Sequence, residues 1–297
     1  MDQMVDRYPS RVQPAPTIGD RLDPVVWSNE RTTGGPLTAS DLDSFERNGF
    51  LAIDRFFSPE DVRGFTAELR AVWDAASTGD DDRIVREPDS DIVRSVFAIH
   101  ESSAVFGALL RSSRLAAMAK QILGGPVYIH QSRINYKTGF RGKEFYWHSD
   151  FETWHTEDGM PRMRAISVSI ALSDNHPVNG PLMLIPGSHK HYITCVGETP
   201  DNHFKESLRQ QAIGTPDDRS LTWLVEQGGI EAPTGPAGSI VLFDCNTMHG
   251  SNGNITPYPR SNIFAVYNSV ENALVQPFAG TRPRPDFIAS RTVAPIS

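Results

Sequence analysis

The chain has 297 residues, 39% hydrophobic and 22% charged, with 28 Lys and Arg against 36 Asp and Glu for a net charge of −8. These are globular proportions, long enough for a sizeable core, and they exclude global disorder. An acidic balance without a basic run argues against nucleic acid or an anionic membrane as partner, and two cysteines are too few for a disulfide framework. No apolar run approaches the roughly 20 residues of a membrane helix. The opening MDQMVDRYPSRVQPAP lacks the basic-then-apolar order of a secretion signal, so the expected location is the cytoplasm.

Residues 1–37, rich in Pro, Arg and Asp without periodicity, read as an extended arm or frayed tail ahead of a single domain over 38–297. Ser40 is placed to cap a short helix through Glu46 that ends near Gly49. Ser58-Pro59-Glu60 is a strong helix start, and Val62, Phe65, Leu69 and Val72 at helical spacing carry that helix to about Ala75. GDDDRIVREPDSD (79–91) reads as a polar loop, and a helical region over about 103–123 closes at Gly124-Gly125, so 38–125 is the helical part.

From residue 126 the apolar period changes from about 3.6 to 2. Strands are predicted at 127–137, 163–172, 181–186, 239–243 and 262–270. In 163–172 one face is Ile166, Val168, Ile170 and Leu172, suited to packing; the other is Ala165, Ser167, Ser169 and Ala171, small enough to line a cavity. Residues 191–235 interrupt the strands with helices expected at about 202–211 and 219–227, an insertion or lid over one end of the core. Helices first and short strands after predict a mainly β fold with flanking helices, a sandwich or barrel of jelly-roll type over 126–297.

Of nine histidines, His148 stands two residues from Asp150 in FYWHSDFETWH. In extended chain the two point to the same side and can share one metal. An H-x-D pair alone is weak evidence, because one arises by chance in a chain of this composition. A third ligand is at hand in His249, just past a predicted strand in IVLFDCNTMHG. Two histidines and one carboxylate form the facial triad of non-haem Fe(II) oxygenases, with three positions open for a cosubstrate and O₂. Arg260, shortly after His249 and at the start of the last strand, is placed as the rigid bidentate donor that the far carboxylate of 2-oxoglutarate needs.

Other features read as structural. His155 and Glu157 brace a loop; His189 and His191 are surface or supporting residues; Cys245 is small and buried; Tyr146, Trp147 and Phe151 pack in the core; Asn254-Ile255-Thr256 is a glycosylation sequon by pattern only.

H-x-D at 148–150, PLMLIPGSH at 181–189, His249 and Arg260 together resemble the phytanoyl-CoA dioxygenase superfamily. FYWHSDFETWHTEDGMP (145–161), YIHQSRINYKTGFRGKE (128–144) and DCNTMHGSNGNITPYPRSN (244–262) are similar to the ectoine hydroxylase family within it, a likeness extending from PSRV near the start to PRPDFIA near the end. The resemblance implies a double-stranded β-helix core of cupin-like type and a homodimer. It implies Fe(II) held by His148, Asp150 and His249, 2-oxoglutarate held by Lys137 and Arg260, O₂ as cosubstrate, and ectoine met by Gln131 and Trp154. The residue pattern agrees, since Gln131, Arg133, Asn135 and Lys137 alternate along one strand and face one way. A cyclic amidinium such as ectoine suits an aromatic face. The implied activity is hydroxylation of ectoine to 5-hydroxyectoine with release of succinate and CO₂. Hydroxylation of a proline-like amino acid and metal or solute binding without turnover are the alternatives.

Overall fold

The computed structural model describes residues 5–28, 35–87, 90–209 and 212–297. The chain opens with a short strand, β1 (Ile18–Asp20), then helix α1 (Ala39–Asn48), strand β2 (Phe50–Ile53) and helix α2 (Pro59–Thr78). α1 is capped by Thr38 and not by Ser40: the Thr38 hydroxyl accepts from the Asp41 amide while the Asp41 carboxylate accepts from the Thr38 amide. Gly49, in the left-handed region at φ +83°, ends it. Ser58 and Asp61 repeat the same reciprocal cap on α2, which runs past Ala75 to Thr78.

Next come β3 (Ile84–Arg86), β4 (Val93–Phe97), α3 (Ile99–Ser102), α4 (Ala104–Leu110) and α5 (Ser113–Leu123). The stretch read as a polar loop, 79–91, thus contains a strand, its apolar pair Ile84-Val85 masked by flanking charge; residues 88 and 89 lie outside the described residues. The single helix expected over 103–123 is broken into α4 and α5 around Arg111 and Ser112. The part read as helical, 38–125, also supplies β2, β3 and β4 to the large sheet.

The second half contributes β5 (Val127–Lys137), β6 (Phe145–His148), α6 (Asp150–Thr153) running into a π-helical turn (Trp154–Asp158), β7 (Ala165–Ala171), β8 (Leu182–Leu184) and β9 (His191–Ile193). Helices α7 (Phe204–Ser207) and α8 (Asp218–Gly228) precede β10 (Ile240–Asp244), β11 (His249–Ser251) and β12 (Arg260–Ser269). The helix predicted over 202–211 is only the single turn of α7, with 210 and 211 outside the described residues; that at 219–227 is α8.

An antiparallel seven-stranded sheet, in the order β2-β10-β7-β12-β5-β4-β3, packs against the three-stranded sheet β6-β11-β8. Phe50, Leu182, Leu184, Val241, Phe243 and Phe264 fill the space between the two sheets. The outer face of the large sheet carries Ile166, Val168, Ile170 and Leu172, which join side chains of α1, α2, α4 and α5 in the largest core. This is the double-stranded β-helix with flanking helices that the sequence led us to expect. No helix among the described residues is long and apolar enough to cross a membrane.

A bulge in β5 decides which of its side chains face the interior. Gln131 pairs with Val266 and Ile129 with Tyr267, so His130 is an extra residue against β12. The insertion shifts the alternation by one. Val127 and Ile129 pack with Ile134 and Tyr136 in the outer core, leaving Gln131, Arg133, Asn135 and Lys137 for the other face.

The described part of 1–37 is extended but not frayed. β1 pairs with β9, Tyr8 is buried, and Arg11 is buried in bonds to Glu152 (3.0 and 2.7 Å), Glu157 (2.7 Å) and Thr199 (2.9 Å). Polar composition concealed this, because the arm is held by ion pairs as well as by scattered apolar residues such as Tyr8, Val25, Val26 and Leu37. Replacing Arg11 by Ala leaves two buried carboxylates short of a partner. Unfolding in urea is expected to show a loss of about 3–5 kcal/mol.

Candidate active site

β6 and β11 are antiparallel neighbours, and their register sets His148 directly opposite His249, with ring centroids 4.3 Å apart. The chain turns at Ser149 into α6, whose first residue is Asp150. Asp150 Oδ1 lies 3.7 Å from His148 Nε2, and Oδ2 lies 3.9 Å from His249 Nε2. The three side chains each offer a ligand atom within 4.8 Å of the others.

Supporting bonds fix which atoms face the centre. His148 Nδ1 donates to the Tyr146 carbonyl at 2.7 Å and His249 Nδ1 to the Thr247 carbonyl at 2.9 Å. A carbonyl only accepts, so each Nδ1 carries the proton and each Nε2 presents its lone pair. The Ser167 hydroxyl, on the small-residue face of β7, donates to Asp150 Oδ2 at 3.2 Å. Desolvation and the neighbouring His249 hold the His148 imidazole near 4, so it is neutral at physiological pH, as a ligand must be. Two imidazole nitrogens and a carboxylate on one side, held by second partners, fit a divalent iron.

Beside the triad, β12 begins with Arg260 registered against Lys137, the last residue of β5. Both are buried. Lys137 Nζ donates to Ser251 Oγ at 2.8 Å and to the Asn252 carbonyl at 2.5 Å, whereas Arg260 Nε and Nη1 are buried without a protein partner among the described residues. Burial, then Arg260 and Arg94, push the Lys137 ammonium down to about 6; burial lowers the Arg260 guanidinium to about 10. Two adjoining buried basic groups with unspent donors suit a carboxylate anion, which favours the charged form of both.

Between His148 and the segment before residue 210 is a cavity of about 190 Å³, lined by Arg94, Phe97, Arg133, Tyr146, His148 and Leu208 among others. Arg133 sits 5.4 Å from the Phe264 ring centroid.

Comparison with known proteins shows the family. The phytanoyl-CoA dioxygenase family matches residues 45–262. The chain belongs to that family. The ectoine dioxygenase of Stutzerimonas stutzeri (strain A1501) is 55% identical over 286 residues, 96% of this chain and 94% of that protein. Its counterpart from Nocardia farcinica (strain IFM 10152) is 53% identical over 293 residues, 98% of this chain and 96% of that one. The crystal structure of EctD from S. alaskensis with 2-oxoglutarate and 5-hydroxyectoine superposes with a TM-score of 0.89 at 48% identity, covering 98% of this chain and 97% of that one. The same protein with bound Fe gives 0.88 at 47%.

Within this dioxygenase scaffold the remaining expected residues fall into two groups. Gln131 is buried on the interior face, accepting from Arg133 at 3.1 Å. Trp154 is buried in the π-helical turn, its ring edge-on to His130 at 5.1 Å. Neither lines the open cavity. His155 and Glu157 brace as read, through Asp6 and Met160 for the former and Arg11 and His203 for the latter. His189 is no surface residue: it is fully buried, with Nε2 against the Glu46 carbonyl. Tyr146 lines the cavity and is exposed, while Phe151 is core. Arg133 and Ser251 carried no assigned role from sequence; the alternation of polar residues along β5 was the one signal for Arg133.

The lowered Lys137 ammonium gives a signed pH dependence. In the free protein at pH 8 it is largely uncharged, and a bound carboxylate raises it again, so binding takes up about one proton and weakens from about pH 6 to 8. Calorimetry with 2-oxoglutarate in buffers of different ionisation enthalpy measures that uptake, which is expected to vanish in Lys137→Met.

Proposed function

We propose that this protein is an Fe(II)- and 2-oxoglutarate-dependent dioxygenase that hydroxylates ectoine to 5-hydroxyectoine. The observation that carries the reading is the His148, Asp150 and His249 cluster adjoining the buried Lys137 and Arg260 pair. A module that merely bound a metal would have no use for two desolvated basic side chains beside it. Relatives at about half identity over nearly the whole chain are ectoine dioxygenases, which supports the substrate.

His148, Asp150 and His249 would hold the iron from one side, leaving positions for the keto acid and O₂. Bound iron and 2-oxoglutarate together supply the oxidising power: the keto acid and O₂ become succinate and CO₂, and one oxygen enters the substrate C–H bond. Lys137 and Arg260 would receive the far carboxylate of 2-oxoglutarate, the arginine as a planar fork and the lysine as a point charge. Gln131 would meet ectoine through its amide, and Trp154 would offer its ring to the delocalised cation. Residues 191–235, which bring Leu208 to the cavity, form its cover in this reading. A cytoplasmic homodimer completes the proposal; the buried free thiols Cys195 and Cys245 are consistent with a reducing compartment.

NMR of the products from enzyme, Fe(II), 2-oxoglutarate, air and ectoine tests the reading. 5-Hydroxyectoine and succinate are expected in equal amounts; turnover of proline in place of ectoine refutes the substrate. Asp150→Ala is expected to lower the rate about 100-fold or more, since a carboxylate ligand is lost. Arg260→Gln is expected to raise KM for 2-oxoglutarate roughly 10- to 100-fold by removing charge-assisted bonds. Unchanged kinetics in either variant would remove that residue from its role.

A further inference from the structure

Asn-Gly is the pair at which a main-chain nitrogen most easily reaches the preceding side-chain amide, because glycine has no Cβ in the way. The chain has three: Asn48-Gly49, Asn179-Gly180 and Asn252-Gly253. Two are locked. The Gly49 amide donates to the Phe45 carbonyl at 2.7 Å and is occupied in closing α1. Asn179 is fully buried; its oxygen accepts from the His176 amide at 2.9 Å and its nitrogen donates to the Asp174 carbonyl at 3.0 Å. Asn252 differs. It is exposed, its Nδ2 reaches the Met183 sulfur at 3.6 Å, and the Gly253 amide has no partner among the described residues.

The side chain of Asn252 faces out, but its main-chain carbonyl faces the site. It accepts from Lys137 Nζ at 2.5 Å, beside the bond of that ammonium to Ser251 Oγ at 2.8 Å. The seat is tight: a Cβ on Gly180 would stand 2.4 Å from the carbonyl oxygen and 2.8 Å from Lys137 Cδ. Ser251 ends β11 on one side of the pair. On the other, the Asn254 amide donates to the Gly142 carbonyl at 2.7 Å, and its side chain is bonded to Tyr258 and Thr256. The Asn252-Gly253 pair is therefore held at both ends, with its carbonyl pinned against the lysine.

We propose that Asn252 is a site of spontaneous deamidation that disables the 2-oxoglutarate end of the active site. The Gly253 nitrogen attacks Asn252 Cγ; the new C–N bond replaces the Cγ–Nδ2 bond, and ammonia leaves with the Gly253 amide proton. Water then opens the cyclic imide at either carbonyl. Opening at Cγ gives aspartate, with its charge at the exposed side chain. Opening at the main-chain carbonyl gives isoaspartate, whose main chain runs on through Cβ and Cγ and is one carbon longer. The carbonyl that Lys137 holds then becomes a free carboxylate. With both flanks anchored and Gly180 behind it, that carboxylate stays at the lysine and takes the place the cosubstrate needs. The consequence rests on the reading of Lys137 as a holder of 2-oxoglutarate; the modification itself does not.

Ageing the protein for days in mildly alkaline buffer tests it. Peptide mapping is expected to find a gain of about one dalton at Asn252, with Asn48 and Asn179 unchanged. Equal modification of the three pairs, or none at Asn252, overturns the site. Calorimetric titration is expected to show a fraction binding 2-oxoglutarate about tenfold more weakly, equal to the isoaspartate fraction. Treatment with protein isoaspartate methyltransferase and S-adenosylmethionine, which converts isoaspartate to aspartate, is expected to restore it. Asn252→Gln, whose longer amide cyclises poorly, should keep its own starting affinity through the same incubation. Asn252→Asp carries the exposed charge without the longer main chain and should bind within about twofold of the fresh parent. Isoaspartate at 252 with unchanged affinity, an equal loss in Asn252→Gln, or a tenfold loss in Asn252→Asp overturns the consequence drawn for the site. If Lys137→Met binds 2-oxoglutarate as tightly as the parent, the reading of Lys137 fails, and the map of the three pairs decides the modification alone.

Discussion

The antiparallel pairing of β6 with β11 is the constraint on which the site depends. It sets His148 opposite His249, and β11 is also held on its other edge by β8, with His249 registered against Leu184. A one-residue slip of β11 would turn the His249 imidazole to the opposite face from His148 and shift the pairing on both edges of the small sheet's central strand. Asp150 then needs only the turn at Ser149 to arrive between them. The sheet brings two ligands together from a hundred residues apart, and the third comes with the first. Carbonyls of Tyr146 and Thr247, themselves in or beside these strands, orient the rings at no further cost in chain.

Charge is distributed around this centre in opposite ways at its two ends. At one end Lys137 and Arg260 are buried side by side with donors to spare, an arrangement costly by itself and suited to a carboxylate. At the other, the helix from Asp150 to Asp158 carries three further acids, Glu152, Glu157 and Asp158, each buried. These do not lack partners. Arg11 from the start of the chain holds Glu152 and Glu157, and Arg284 from its end holds Asp158. His203 adds a bond to Glu157, and together with Arg284 and Arg11 it overcomes the effect of burial and holds that carboxyl near 2. Both ends of the chain thus clamp the element that begins with a metal-ligand candidate and contains Trp154. A π-helical turn at such a place is consistent with a segment shaped by function more than by local preference.

Much of this was legible from residue order. Period-2 alternation located β5, β7 and β12, each of seven residues or more, the apolar runs around β8 and β10 marked those shorter strands, and the serine face of β7 does turn toward Asp150. Ser58-Pro59 marked α2 because capping is a local interaction. The short strands β3, β6, β9 and β11 were missed or left as extended loops, since three or four residues give no period to read and none of them is an unbroken apolar run. Thr38 displaced Ser40 as cap because the acid at Asp41 completes a reciprocal bond only from that position. The burial of His189 and the anchoring of the arm came from contacts more than a hundred residues apart.

By itself the sequence determined the chemistry available: an H-x-D pair, a later histidine, an arginine at the start of the last strand, and the alternation that makes a β core with helices around it. Those are properties of neighbouring residues, set by spacing and side-chain type. Only the tertiary structure decided that His249 meets His148, that the His130 bulge turns Gln131 and Lys137 inward, and that the two termini close on the helix from Asp150 to Asp158. Each of these depends on strand register or on buried ion pairs between distant segments, and neither leaves a local signal in the chain.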